Sequence, residues 1–338
     1  MVHAMKILFC SYAFPPSIGG IETVSSILAD QFSRLGSMVT VVTSTPGPQV
    51  EAAYDIVRLP STTKLYQLAR NADICFQNNV SLRMIFPLLA AGKPVVVTHQ
   101  TWLKRVDGGR GWQDYLKLAI LRACHNIAIS QAIASALPMP SLVVGNPFEP
   151  REFVDLGLDN RTGDVVFIGR LVSDKGSDLV LRALALLKRE GLTPSFTVVG
   201  DGPEMPALKQ LTAEFGLSDQ VDFLGTVREG RGKIAARHKI MVVPSIWEEP
   251  FGVVALEGIA AGCAVVATRA GGLPEAVGPC GILFPNGDVA ALASALKKLI
   301  TSSSLRNELI AGRNQHLQQF QPEAVAKRYL EVFACALR

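Results

Sequence analysis

The sequence lacks most of the features that would assign a function at once. Six cysteines (Cys10, Cys75, Cys124, Cys263, Cys280, Cys335) are scattered over 338 residues, with no C-x-x-C pair and no histidine at ligand spacing. That argues against a zinc framework or a disulfide scaffold and points to a reducing cytosol. Charged residues make up 18% of the chain and apolar ones 49%, which excludes a disordered polyelectrolyte and supplies material for sizeable cores. No apolar run reaches membrane-spanning length without a charge or proline: Lys93-Pro94 splits the best candidate and Glu257 interrupts the next. The opening MVHAMKILFC runs straight into a strand without a basic leader region, so a signal peptide is not expected. There is no G-x-G-x-x-G after the first strand and no acid after the second, where VVTSTPGP follows, so an NAD-binding fingerprint is missing. Basic residues form no dense run or reading motif, and a nucleic-acid partner is not expected.

What the chain does have is alternation. KILFC (6–10), VTVVTS (39–44), ADICF (72–76), PVVVT (94–98), NIAIS (126–130) and SLVVG (141–145) read as strands separated by helical or loop segments. After GNPFEP (145–150) the series restarts with DVVFIG (164–169), SFTVVG (195–200), VDFLG (221–225), KIMVVPS (239–245) and CAVVAT (263–268). Runs this apolar suit parallel strands covered on both faces, and strand–helix alternation predicts a doubly wound α/β fold. The restart, in a chain long enough for about two domains, predicts two Rossmann-like domains over 1–147 and 148–321. A helix over 322–338 follows them. The halves differ in charge. Residues 1–147 hold 12 Lys/Arg against 7 Asp/Glu, while 148–338 hold 21 against 22. The first half is therefore a candidate to face something anionic, or the imbalance is chance.

Ligands of open parallel sheets bind beyond the carboxyl ends of the strands, so the polar residues there are the candidates. After the first strand, SYAFPPSIGGIE places Gly19 and Gly20 at a helix start, where backbone N–H groups can approach a phosphate; a helix entry that merely needs small residues is the competing reading. His99 follows PVVVT, and a structural histidine is about as frequent in such a place as a functional one. Arg170 and Lys175 sit in GRLVSDKGSD as a possible diphosphate clamp, against an ordinary solvated loop. In PSIWEEPFGVVALEGIAAG (244–262), a helix from about Gly252 puts Glu257 on a stripe with Val253, Val254, Ala260 and Ala261. A carboxylate there needs a partner, either a vicinal diol such as a ribose or an arginine such as Arg170 or Arg269. Glu249 precedes that turn, at the mouth of the site. In QTWLKRVDGGRGWQDYLK (100–117), Trp102 and Trp112 stand among Lys104, Arg105, Arg110 and Lys117. Such a mixture suits a membrane interface or a lipid-phosphate acceptor, or else the rings pack and the charges are solvated.

Taken in order, GGIE (19–22), His99, GRLVSDKG (169–176), VGDGP (199–203), SIWEEPFGVVALE (245–257) and GGLPEAV (271–277) resemble the family 4, or group 1, glycosyltransferases. The resemblance runs along almost the whole chain. It implies the GT-B architecture of two Rossmann-like domains facing a cleft, with an acceptor-side first domain, a donor-side second domain and a last helix crossing back to the first. It further implies a nucleotide-diphosphate sugar (UDP- or GDP-linked), a hydroxyl acceptor (glycan, lipid-linked or small molecule), retention of configuration, no cofactor and no required metal. The chain has no Asp-x-Asp, the manganese–diphosphate signature of the other transferase fold. By the Glu-x7-Glu pattern, Glu257 would hold the ribose. Glu249 would contact the sugar together with backbone N–H groups of Phe251, Gly252 and Val253. Arg170 and Lys175 would clamp the diphosphate, Gly19-Gly20 would form the glycine loop, and His99 would line the reacting sugar. Gln100 stands where the family commonly has Asp or Tyr, which bears on the acceptor more than on the donor. The chain is expected in the cytoplasm, with the inner membrane face as a possible station for the first domain. A nucleotide-sugar epimerase of the same architecture and a non-catalytic sugar-nucleotide-binding protein are the alternatives.

Overall fold

The computed structural model describes residues 4–48, 51–103, 111–153, 155–157 and 161–338. The chain divides into two compact units: Met1–Pro147 with Phe320–Arg338, and Phe148–Gln319. The first is built on β1 (Lys6–Ser11), β2 (Met38–Thr43), β3 (Asp55–Arg58), β4 (Ile74–Asn78), β5 (Val95–His99), β6 (His125–Ala128) and β7 (Leu142–Val143). Its helices are α1 (Gly20–Arg34), α2 (Thr62–Asn71), α3 (Leu82–Ala90), α4 (Trp112–Leu121) and α5 (Gln131–Ala136). The second holds β8 (Gly163–Ile168), β9 (Phe196–Val199), β10 (Val221–Gly225), β11 (His238–Val243), β12 (Ala264–Thr268) and β13 (Gly281–Phe284). Its helices are α6 (Ser177–Arg189), α7 (Met205–Glu214), α8 (Arg231–Ala236), α9 (Val253–Ala260), α10 (Leu273–Val277), α11 (Val289–Thr301), α12 (Ser303–Ala311) and α13 (Arg313–Gln318). The last helix, α14 (Pro322–Ala336), belongs to the first unit.

Every strand pair is parallel, and the orders are β3-β2-β1-β4-β5-β6-β7 and β10-β9-β8-β11-β12-β13. Each sheet starts in its middle, grows one way, then jumps back and grows the other. The jump leaves a switch point between β1 and β4 in one sheet and between β8 and β11 in the other. Two strands were not anticipated from sequence, β3 and β13. Both are edge strands with one hydrogen-bonded neighbour, so one flank need not be apolar, and DIVR carries an acid and a base where a central strand would not.

Strands β4, β5 and β12 are buried at every residue. In the second unit α6 adds an amphipathic stripe of Leu179, Val180, Ala183, Leu184 and Leu187 to the core. In the first unit α14 inserts Tyr329 and Phe333, both completely buried, into an aromatic cluster with Phe32 and Phe76 at centroid separations of 5.2–6.1 Å. Those rings are core, not decoration: burying each stabilises by a few kcal/mol, on the order of 2–3.

Candidate active site

In the second unit, the sequence candidates gather at the β8/β11 switch point. Arg170 lies two residues beyond β8 and is exposed, with no ion pair among the described residues. Lys175 closes a short 3-10 turn over Ser173–Lys175 and is half-buried. The turn ends on Gly176 at φ 65°, where a Cβ would stand 2.2 Å from the Pro244 carbonyl oxygen, so only glycine brings this loop against the end of β11. The backbone N–H groups of Ile246 and Trp247 both donate to the Asp174 carbonyl, at 2.9 and 3.1 Å, which ties the two loops together.

Lys175 Nζ donates to Glu249 Oε1 in a short ion pair, and the same oxygen accepts from Ser245 Oγ at 2.7 Å. Glu249 is in turn held from behind. Its carbonyl accepts from Gly272 N at 2.8 Å, and Gly271, at φ 56°, leaves no room for a Cβ against that carbonyl. Sequence reasoning did not foresee Ser245, because a serine at a strand end carries no pattern of its own. It also placed Lys175 and Glu249 in separate roles, whereas the fold makes them partners. Glu248, left out of the candidate set, is exposed.

Phe251, Gly252 and Val253 form the entry to α9, where no side chain caps the first turn. That entry is the positive end of the helix. Glu257 lies one turn in and is partly buried. Its carboxylate has no hydrogen-bond or ion-pair partner among the described residues. Burial pushes its pKa up to about 7; nearby Arg231 acts against that rise, and Glu152 and Glu149 add to it. Arg231 is not free to serve it, since its guanidinium is engaged by Glu152 through Nε–Oε1 at 3.2 Å and Nη2–Oε2 at 2.9 Å. The neighbouring cation is thus Arg231, not Arg170 or Arg269. What remains is an acid whose hydrogen bonds are unfilled by the protein.

In the first unit His99 ends β5, fully buried. Its Nε2 lies 2.9 Å from Asn126 Oδ1. The Asn126 amide nitrogen donates to the carbonyls of Leu121 and Cys124, both at 2.9 Å, which fixes the orientation of the amide. Nε2 must then carry the proton, leaving the lone pair on Nδ1, which has no partner. Burial lowers the His99 pKa against the opposing Asn126 bond, so the ring is neutral. Gly19 caps α1 and Gly20 opens it, but the nearest group to a Cβ built on Gly19 is the Glu22 carboxylate at 2.5 Å, which itself accepts from Ser17 Oγ. The helix start therefore faces an acid of its own chain. Of the basic–aromatic segment, Lys104, Arg105 and Arg110 lie outside the described residues. Trp102 is half-buried, and Trp112 is 72% exposed at the start of α4.

Gln100, read as a departure from the family pattern, is buried in a network. Its Nε2 donates to Asn78 Oδ1 at 2.9 Å and Asn146 Oδ1 at 3.1 Å, and Asn146 Nδ2 returns a bond to Gln100 Oε1 at 2.8 Å. Asn78 continues through Ser25 to Ser11 at 2.7 and 2.9 Å. No sequence signal announces such a network, because its members are far apart in the chain and only the sheet brings them together.

Residues 162–302 match the profile of the family described as glycosyl transferases group 1. The chain is 35% identical over 173 residues to the lipopolysaccharide core biosynthesis glycosyltransferase LpsD of Rhizobium meliloti (strain 1021), covering 50% of this chain and 48% of that protein. It is 37% identical over 183 residues to the D-inositol 3-phosphate glycosyltransferase of Corynebacterium jeikeium (strain K411), covering 51% and 43%. The chain spans about half the length of the curated relatives it matches. Among solved structures, Anabaena Alr3699/HepE in complex with UDP superposes with a TM-score of 0.82 at 21% identity, over 98% of this chain and 100% of that one. Two parallel-sheet units of this strand order are a GT-B fold. Over residues 162–302 the chain is similar to the group 1 glycosyl transferases.

Proposed function

We propose that the protein is a retaining glycosyltransferase that moves a sugar from a nucleoside diphosphate sugar to a hydroxyl acceptor in polysaccharide or glycoconjugate synthesis. The observation that carries this reading is Glu257, a partly buried carboxylate at the entry turn of α9 with its hydrogen bonds unfilled by the protein. A ribose diol supplies two O–H donors at the spacing a carboxylate accepts. Arg170 and Lys175 stand at the same switch point to meet the diphosphate. The entry turn of α9 at Phe251, Gly252 and Val253 and the carboxylate of Glu249 stand beside it to meet the sugar.

Cleavage of the glycosyl–phosphate bond places negative charge on the leaving diphosphate. Fixed cations there act on the transition state more than on the ground state, which raises the rate and not only the affinity. Lys175 must loosen its pair with Glu249 to do so, which frees Glu249 for a sugar hydroxyl. The acceptor hydroxyl attacks on the face the phosphate leaves, and its proton passes to a phosphate oxygen, so no protein base is required. His99, whose pKa burial lowers, serves to orient and not as a base. No step draws on a metal, and turnover in excess EDTA tests that point.

UDP is the first donor to try, since the HepE structure binds UDP; GDP-sugars are the second. The lipopolysaccharide role of LpsD favours work at the cytoplasmic membrane face, and exposed Trp112 and Tyr115 on α4 support a peripheral contact there. Among the described residues no helix is long and apolar enough to cross a membrane. The test is calorimetric titration with UDP and GDP, followed by acceptor screening with the tighter nucleotide's sugars. A nucleotide that binds wild type and loses affinity for Glu257→Ala supports the donor site. Equal affinity for both proteins rejects it, and a new product from donor alone would mean an epimerase.

A further inference from the structure

Two of the three side chains that meet beyond β11, Ser245 and Glu249, are carried on backbone held at both ends. Ser245 lies two residues past the strand and is 2% exposed. Ile246 and Trp247, which follow it, are pinned by their N–H bonds to the Asp174 carbonyl, and the Ile246 carbonyl accepts from Asn286 Nδ2 at 2.7 Å. Glu249 is clamped through its carbonyl by Gly272 N. A Cβ on Gly272 would stand 2.5 Å from the Pro250 carbonyl oxygen, so a glycine is what lets the two turns press together.

The two donors to Glu249 differ in kind. Ser245 Oγ reaches Oε1 at 2.7 Å from a short, neutral and buried side chain. Lys175 Nζ donates to the same oxygen, but from a flexible four-carbon stem that is 23% exposed. Oε1 therefore has two donors, while Oε2 has none among the described residues. The two cations of the site are also preset differently. Arg170 is exposed, with no ion pair among the described residues, whereas Lys175 is committed to Glu249. A carboxylate only 14% exposed that lost every donor on one oxygen would be left short of hydrogen bonds, which is unfavourable. Lys175 can thus leave at low cost only if another donor stays behind. Ser245 is that donor, and a neutral hydroxyl has no charge to draw it after the lysine toward an anion.

We propose that Ser245 is a positioning residue that lets Lys175 change partners: its hydroxyl stays on Glu249 Oε1 while the ammonium moves from that oxygen to the diphosphate of the donor. The proposal rests on the glycosyltransferase reading above and names the group that makes the exchange possible. No covalent bond changes and no proton moves; Lys175 remains an ammonium and Glu249 a carboxylate in both arrangements. The bond from Ser245 also fixes the rotation of the carboxylate, so Oε2 keeps one direction after Lys175 has gone. A serine that only supported the loop would matter to nucleotide binding whatever its neighbours were. In the exchange it matters only while Lys175 and Glu249 are both present, because without either there is no pair to break.

The test is a set of double-mutant cycles read by calorimetry on the full chain, with UDP and GDP as titrants and the tighter one carried through. Ser245→Ala is expected to weaken that nucleotide about tenfold, as for one lost hydrogen bond to a charged group. In Lys175→Ala and in Glu249→Gln backgrounds, the same substitution should change affinity by less than about twofold, the scatter of uncoupled sites. Ser245→Cys, near in size but a weak donor, should behave like Ser245→Ala, and it carries the cycles if the alanine variant does not fold. Equal weakening in all three backgrounds marks a loop support and overturns the proposal. Wild-type affinity in both serine variants overturns it as well. The donor reading is judged separately: a nucleotide that binds wild type and is lost in Glu257→Ala, with additive cycles at Ser245, keeps the donor site and rejects only the exchange. A wild-type protein that binds neither nucleotide rejects the donor site and the exchange with it.

Discussion

The two sheets share one topology but arm their switch points differently. Beyond β8 and β11 stand charges: Arg170, Lys175 and Glu249, with Glu257 a turn into α9. At the ends of β4, β5 and β7 stand amides, Asn78, Gln100 and Asn146, buried and bonded to one another. The same architecture can thus arm one switch point with charges and the other with neutral amides. Fold alone does not choose between them; side chains at equivalent strand ends do.

Substitutions at the two ends should therefore fail in different ways. The largest effect is expected at the charged end. Lys175→Ala should lower kcat by about 10²–10³-fold at saturating substrates, in the range of losing one preorganised electrostatic contact. A change confined to KM would mean that Lys175 only binds, and the contrast between the two ends would blur. Next comes Glu257→Ala, expected to weaken nucleotide binding by roughly 10–100-fold, as for hydrogen bonds to a charged group.

The pH dependence of Glu257 sharpens the point. Its folded-state pKa, about 7, lies above the ordinary Glu value of 4.5, so the folded chain holds this proton more tightly than the unfolded chain does. Stability therefore falls as pH rises from the ordinary carboxylate range to about 7. Glu257→Gln should raise Tm at pH 8, with the gain shrinking toward pH 4.5, while nucleotide affinity is lost. Calorimetric scans at both pH values check this; an unchanged Tm at pH 8 counts against a desolvated acid.

At the neutral end, Gln100→Leu removes both halves of an amide pair and should cost about 1–3 kcal/mol in denaturant unfolding, by leaving Asn78 and Asn146 short of partners. UDP affinity should hold. His99 is probed by Asn126→Asp, which places a carboxylate on His99 Nε2 and also loses the two bonds to the Leu121 and Cys124 carbonyls, so some stability is lost with it. The His99 pKa, lowered in wild type, should rise, as read by NMR titration, and the acidic limb of the pH–rate profile should move with it. A profile that stays put would reduce His99 to a structural residue.

Much of the fold was legible because parallel strands buried on both faces write apolar runs, and α6 and α11 write clean helical stripes. The edge strands β3 and β13 were not, since half their environment is not core. Helices α12 and α13 are divided at Gly312, where glycine lowers helical preference enough for packing to decide. Of the candidate site, Arg170, Lys175, Glu249 and Glu257 were readable from their places after strands. Ser245, Arg231, Asn126 and the Gln100 network were not, because single polar residues have no periodicity.

By itself the sequence determined that there are two parallel α/β series, that the second carries a Glu-x7-Glu pair at a helix entry, and that the last residues form an amphipathic helix. Only the tertiary structure decided that Tyr329 and Phe333 complete the core of the first unit, that Lys175 pairs with Glu249, and that Arg231 is spent on Glu152 while Glu257 is left unfilled. Periodicity is a local property, written in neighbours three, four or two residues apart. The charge state and partners of a buried acid depend on residues tens of positions away, and those meet only when the sheet has formed.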